Sequence, residues 1–300
     1  MKKILKITAI TGGCLALVGG LIFTVAFGAT GWNIRELSNV KAEQKRYEES
    51  VDASVERITL DFQNTDIQVV FDENAEKVSV DYSQRFKKNG DPIGKITVHE
   101  ENGGLRIVEK SSWKDGFLVW DFTSYKTTVV LPCDKSYTLA VDTDNGDITV
   151  CGNGTLASLT LSTDNGDVST KEASLVCEGK MSMDSDNGDC TLGEITAKTV
   201  KVETDNGRVN AVGKLTASEI TLETDNGDVV ATKAPMQADK ISIETNNGDI
   251  RAHVFGESSD YTKIIKTDNG DSNIHSAQGG AKTLIVETDN GDITVHFKKE

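Results

Sequence analysis

Carboxylates at fixed intervals are the groups in this chain with most capacity for chemistry. Around eight Asn-Gly pairs, an acidic residue stands just before the asparagine and another just after the glycine. The first set is Asp144, Asp164, Asp186, Asp205, Asp225, Asp268 and Asp289, broken by Asn246. The second is Asp147, Asp167, Asp189, Asp228, Asp249, Asp271 and Asp292, broken by Arg208. Paired carboxylates are the ligand set of Ca2+, a hard cation that takes oxygen donors, and the acid and base of glycoside hydrolysis. A catalytic pair is normally unique in its chain, whereas these recur in every repeat, so the chain reads as non-catalytic. The candidate calcium ligands are Asp144, Asp147, Asp164, Asp167, Asp186, Asp189, Asp225 and Asp228. Like charges filed about 5 Å apart repel by roughly 1 kcal/mol per neighbour at water-like dielectric, and a divalent cation would relieve this. The plainer alternative is solvated turn caps with loose counterions; Arg208 and Asn246 show that neither file needs every charge. The nine-residue, glycine-rich period of calcium-binding β-rolls is absent.

Other reactive side chains are sparse. His99, His253, His275 and His296 are scattered, and none shares a motif with a nucleophile. No nucleophile elbow, phosphate loop or dinucleotide fingerprint occurs. Cys133, Cys151, Cys177 and Cys190 have no C-x-x-C spacing, and the sequence chooses no disulfide pair among them. Cys190 fills a place that is Ile or Val in most repeats, which reads as a small buried hydrophobe. A net charge of −15 excludes nucleic acid and anionic lipid as partners bound by charge. Cations, basic proteins and neutral sugars remain as partners.

The repeats indicate what must position these groups. The glycines Gly146, Gly166, Gly188, Gly207, Gly227, Gly248, Gly270 and Gly291 recur at intervals of 19 to 22 residues. A period near twenty marks a solenoid, in which each repeat buries its apolar edge only by stacking on its neighbours. Apolar residues stand two and four places ahead of the Thr or Ser of each turn: Leu139 and Val141, Leu159 and Leu161, Met181 and Met183, Val200 and Val202. Ile220 and Leu222, Ile241 and Ile243, and Leu284 and Val286 continue the series, and Lys263 breaks it once. Shorter alternations such as Ile148 and Val150 follow each turn, with a third stretch near Thr155 to Ser158 completing a coil. Aromatics make up only 6% of the chain, and three prolines sit among 27 glycines, which suits an all-β protein of thin apolar stripes.

The repeated turn has a backbone reading. The pairs Asn145–Gly146, Asn165–Gly166, Asn187–Gly188, Asn206–Gly207, Asn226–Gly227, Asn247–Gly248, Asn269–Gly270 and Asn290–Gly291 each supply two residues that tolerate positive φ. The preceding aspartate suits an Asx turn, the preceding Thr suits a hydroxyl bond to nearby backbone, and stacked asparagines suit an amide ladder. A two-residue type I′ hairpin competes with this geometry. A hairpin meander does not require the same residues at eight turns, whereas in-register stacking rewards them, so the expected fold is an all-β solenoid over residues 133–300.

Residues 1–6 carry Lys2, Lys3 and Lys6, and residues 7–34 carry no charge. The expected arrangement is a cytoplasmic tail (1–6) and a single transmembrane anchor (7–30), with the rest outside the cytoplasm at the cell membrane. Cleavage near Ala26 to Gly28 is the rival reading; the length of the run and Trp32 at the outer interface favour the uncleaved anchor. Residues 31–55 read as a helical or semi-flexible stalk, and residues 56–132 as an irregular β cap. Trp113, Phe117, Trp120, Phe122 and Tyr125 cluster in that cap, where an aromatic sugar platform is the functional alternative.

The run "VVLPCDKSYTLAVDTDNGDITVCGN", its continuation "LASLTLSTDNGDV" and the upstream "VERITLDFQNTDIQVVF" carry a resemblance. With the VxLP lead-in and recurring L-x-L-x-T-x-x-G-D-I units, residues 56–300 resemble the bacterial putative-adhesin domain family of LiaG-like, membrane-anchored envelope proteins. The resemblance implies a β-solenoid at the cell surface, an adhesive role and a link to envelope stress, with an envelope protein or glycan as partner. It brings no catalytic residues. The near-constant Asp-Asn-Gly-Asp departs from the family's looser pattern.

Overall fold

The computed structural model describes residues 28–29, 31–33, 38–49, 54–110, 121 and 123–299. The expected cytoplasmic tail and most of the expected anchor lie outside them, as do Cys14, Trp113, Phe117, Trp120 and Phe122. Among the described residues no helix is long and apolar enough to cross a membrane.

Two compact units are present. In the smaller, built from residues up to Glu43, Gln84–Lys95 and Ser111–Ser124, Arg85 and Phe86 pair antiparallel with Ile93 and Pro92. The Gln84 amide holds that turn by donating to the Gly94 carbonyl at 3.1 Å.

The larger unit is a stack of rungs. Strands that precede the Asn-Gly corner form one parallel sheet, and strands that follow it form a second. The first sheet runs, in spatial order, Gly104–Lys110, Arg57–Phe62, Ser136–Asn145, then the second halves of Ile148–Asn165 and Val168–Asn187. It continues through Glu194–Thr204, Glu219–Asn226, Lys240–Asn247, Lys282–Asn290 and Tyr261–Asn269. The second sheet runs from Lys126–Pro132 through Asp66–Asp72 to Ile250–Phe255 and Ile293–Lys298. Short third strands pair Leu156 with Cys177, Cys177 with Ala197, and Ile195 with Leu215. The neighbouring segments run the same way, so the solenoid reading holds and the meander does not.

Alternation places the apolar files inside, as expected. From Leu139 to Val286 the paired inward residues are at most 1% exposed, and each buried aliphatic side chain contributes about 1.5–3 kcal/mol. Cys190 is among them with no exposure, and burial pushes its thiol up to about 12. Lys263, the exception in the series, stands on the outermost rung. Its amine donates to the Ser258 carbonyl at 3.0 Å and lies over the Phe297 ring, which satisfies a charge that an interior rung would bury without partners.

The stack order departs from chain order at both ends. Rung 57–72 lies second, inside rung 104–132. Rung 282–298 lies against rung 240–255, so residues 261–273, although earlier in the chain, form the last rung. The stalk expected at 31–55 contains a strand instead, Val40–Glu48. Gln44 donates to Ser83 at 2.9 Å and Arg46 pairs with Asp81 at 3.2 Å, because the edge at residues 79–83 offers partners that a free helix lacks. In the expected cap, Lys95–Glu101 and Gly104–Lys110 are joined by Asn102 and Gly103 at φ 51° and 71°. That is the type I′ hairpin pattern, so one Asn-Gly pair does make the rival turn.

Candidate functional site: the corner ladders and the acidic face

The eight Asn-Gly corners do not use positive φ; none of their sixteen residues is among those with left-handed backbone. Glycine is needed for a different reason. A Cβ built on Gly166 would collide with the carbonyl oxygen of Gly146, and one on Gly270 with that of Gly291. The corners pack backbone on backbone, and only a residue without a side chain allows that approach.

Hydrogen bonds between rungs use every other corner residue. Asn145 donates to Asn64 Oδ1 at 3.1 Å, Asn165 to Asn145 at 3.0 Å, Asn187 to Asn165 at 3.1 Å and Asn206 to Asn187 at 3.1 Å. Asn226, Asn247, Asn290 and Asn269 extend this amide ladder in that spatial order at 3.0–3.1 Å. The Thr or Ser hydroxyl donates to the glycine carbonyl of the rung before, as Thr204 does to Gly188 at 2.8 Å.

The expected Asx turn at the first aspartate is not formed. The backbone carbonyls of Asp144, Asp164, Asp186 and Asp205 instead accept the asparagine amide of the next rung. The second aspartate file is structural too. Asp147 Oδ1 accepts the N–H of Asp167 at 2.8 Å, Asp167 that of Asp189 at 2.8 Å, Asp189 that of Arg208 at 2.7 Å and Asp228 that of Asp249 at 3.0 Å. One oxygen of each of these four carboxylates is thus committed to backbone. Arg208 and Arg251 approach Asp228 at 3.6 and 3.3 Å and offset its charge beside the break in the file. Among the described residues no group of three or more His, Cys, Asp or Glu is arranged to hold a metal ion.

A third acidic file escaped the reading of the turns. Asp61, Asp142, Ser162, Asp184, Glu203, Glu223, Glu244 and Glu287 lie in register across eight successive rungs, with Lys266 at the end. The signal was available: the residue just before each turn Thr or Ser is Asp or Glu in six of the eight repeats. Period-2 alternation puts this file on the same solvent face as Asp144, Asp164, Asp186, Asp205, Asp225 and Asp289, giving a double row of carboxylates. Strand spacing of about 4.8 Å keeps neighbours close. Burial, then Asp61 across the rung, pushes Asp142 up; burial, then Glu203, does the same to Asp184 and Glu223. Asp144 is raised by burial and by Asp164. Lys201, bonded to Glu203, is held above its ordinary value.

The histidines are less scattered than their positions suggest. His253 and His296 are register partners with ring centroids 5.9 Å apart. Cys133, Cys151, Cys177 and Cys190 are all free thiols.

Parallel rungs tied by amide, hydroxyl and carboxylate ladders define a β-solenoid scaffold, with a charged sheet face as its most extensive feature. The chain belongs to the Toastrack DUF4097 family, whose sequence model matches residues 55–296. No curated protein matches it. Among solved structures it is similar to a putative adhesin from Parabacteroides distasonis, at 16% identity and TM-score 0.54, covering 85% of this chain and 97% of that one. A putative lipid binding protein from the same organism is similar at 14% identity and TM-score 0.51, covering 84% and 94%. At such identities the likeness is one of fold.

Proposed function

We propose that the chain is a non-catalytic, membrane-anchored envelope protein whose solenoid stands outside the cytoplasm and binds an envelope protein or glycan along its acidic face. The double row of carboxylates, broken only at Ser162, Asn246 and Lys266, carries this reading. A surface that repeats at every rung engages a partner that also repeats, and each added contact gains from the effective concentration set by the last. The lysine-flanked apolar run at residues 1–34 supports the anchor and its orientation. The name of the P. distasonis adhesin supports an adhesive role, and the family resemblance a place in envelope stress.

The test is binding of residues 38–299 to purified cell-wall sacculi and to envelope proteins immobilised separately. Replacing Glu203, Glu223 and Glu244 with Gln together should weaken capture at low salt without lowering the melting temperature. Equal binding by this variant and the parent protein would remove the acidic face from the account.

A further inference from the structure

The chain contains eleven Asn-Gly pairs, and the structure gives them unequal surroundings. Asparagine followed by glycine is chemically labile. The glycine backbone nitrogen attacks the asparagine Cγ, its proton and the side-chain nitrogen leave as ammonia, and a succinimide ring closes. Water then opens the ring to aspartate or isoaspartate. The reaction requires a free glycine N–H and an amide able to swing toward it.

Five inner corners of the stack deny both, and at the other two, Asn187–Gly188 and Asn206–Gly207, the asparagine amide is held between two neighbours. The N–H groups of Gly146, Gly166, Gly227, Gly248 and Gly291 donate to the asparagine carbonyl of the next rung at 3.0–3.1 Å. Asn226 donates its amide to Asn206 and accepts from Asn247, so its Cγ is held from two sides. The last rung differs. Asn269 donates to Asn290 at 3.0 Å, but among the described residues no amide donates to Asn269 Oδ1 and no carbonyl receives the Gly270 N–H. Gly270 is exposed where the other corner glycines are half-buried, and Thr267 is half-buried where its seven counterparts are buried.

We propose that Asn269 is a modification site that spontaneously loses its amide to give aspartate and isoaspartate, while the ladder protects the corners inside it. The product alters the fold locally. A carboxylate at position 269 has no proton to donate to Asn290 Oδ1, and two acceptors then face each other among Asp268, Asp271, Asp289 and Asp292. Isoaspartate also adds a methylene to the main chain of a corner that stacks backbone on backbone. The Tyr261–Asn269 rung loosens, and Asn290 becomes the exposed end of the ladder. Ageing of the stack therefore begins at one end and moves inward.

The test uses the full chain held in mildly alkaline buffer, with peptide-resolved mass spectrometry of the amide-to-acid change at each Asn-Gly pair. Asn269 should react at least about tenfold faster than Asn226 or Asn247, which open only through sub-global unfolding. The hairpin pair Asn102–Gly103, outside the ladder, supplies an unprotected rate in the same molecule. In concentrated urea the rates at Asn269, Asn226 and Asn247 should converge. Equal rates for these three in the folded protein, or the same spread in urea, would overturn the assignment. As a second measurement, Asn269→Asp should speed hydrogen exchange across residues 261–281 and leave residues 136–255 unchanged. No change at 261–281 would refute the loosening.

Discussion

Removing one member from the middle of the amide ladder tests whether the repeated corner stabilises the stack. Asn206 donates to Asn187 Oδ1 at 3.1 Å and to the Asp186 carbonyl at 3.3 Å, and accepts from Asn226 at 3.1 Å. Asn206→Ala removes all three bonds. Each exchanges with water, because the corner is exposed, so the lower half of the usual range applies and the total is about 1.5–3 kcal/mol. Asn269→Ala removes only the single bond to Asn290, worth about 0.5–1 kcal/mol. Both variants keep the glycine, the inward Thr and the buried aliphatic files, so the difference reports the ladder alone. Urea unfolding followed by far-ultraviolet circular dichroism gives the two midpoints, and an unchanged slope licenses their comparison. Equal losses for the two variants, or a loss at Asn206 below that at Asn269, would refute the ladder as a source of stability and leave it a by-product of packing.

Gly207→Ala should cost at least about 2 kcal/mol by overpacking, because its Cβ meets the Gly188 carbonyl; a soluble variant of unchanged melting temperature would contradict the close approach. Millimolar calcium, compared with chelator, should leave the melting temperature unchanged, since the second aspartate file already accepts backbone N–H groups. His253 is held below its ordinary 6.5 by burial, then by Lys298 and His296. The unfolded chain therefore takes up this proton first, and stability is lost as pH falls below 6.5; His253→Phe should flatten that slope in a melting series. Glu223 is raised by burial and by Glu203, so the folded state protonates first and stability rises as pH falls through its raised value toward the ordinary carboxylate range; Glu223→Gln should remove that gain. In the native protein Cys190 should resist a thiol reagent under conditions that modify the partly exposed Cys151, with both reacting in urea.

Much of the solenoid was legible because one period dictated both burial and stacking. Leu161, Met183 and Val202 could be placed inside from alternation alone, and the amide ladder followed from recurrence of one residue type in one place. The reason for the glycine was not legible. Tolerance of positive φ and intolerance of a Cβ both select glycine, and only coordinates separate them; Asn102–Gly103 obeys the first rule and Asn206–Gly207 the second. The backbone role of the second aspartate file was not legible, because composition shows charge but not the direction of a lone pair. That Asp167 Oδ1 accepts the N–H of Asp189 is a matter of register between rungs. Lys263 looked like an error in the pattern because its position in the stack is set by the order of rungs, which local sequence does not encode. The file through Glu203 and Glu223 was legible in the sequence, since an acidic residue precedes the turn Thr or Ser in six of the eight repeats.

The inverted order of the last two rungs has a consequence for how the protein is made. Residues 261–273 leave the ribosome before residues 282–298, yet their seat is built by the later segment. Until translation has passed Lys298, the earlier segment has no surface to zip onto, and the growing solenoid must wait with its Lys240–Asn247 edge bare. A premature stop near position 281 would therefore strand two layers rather than one, and nascent chains arrested there should be the species most prone to clumping.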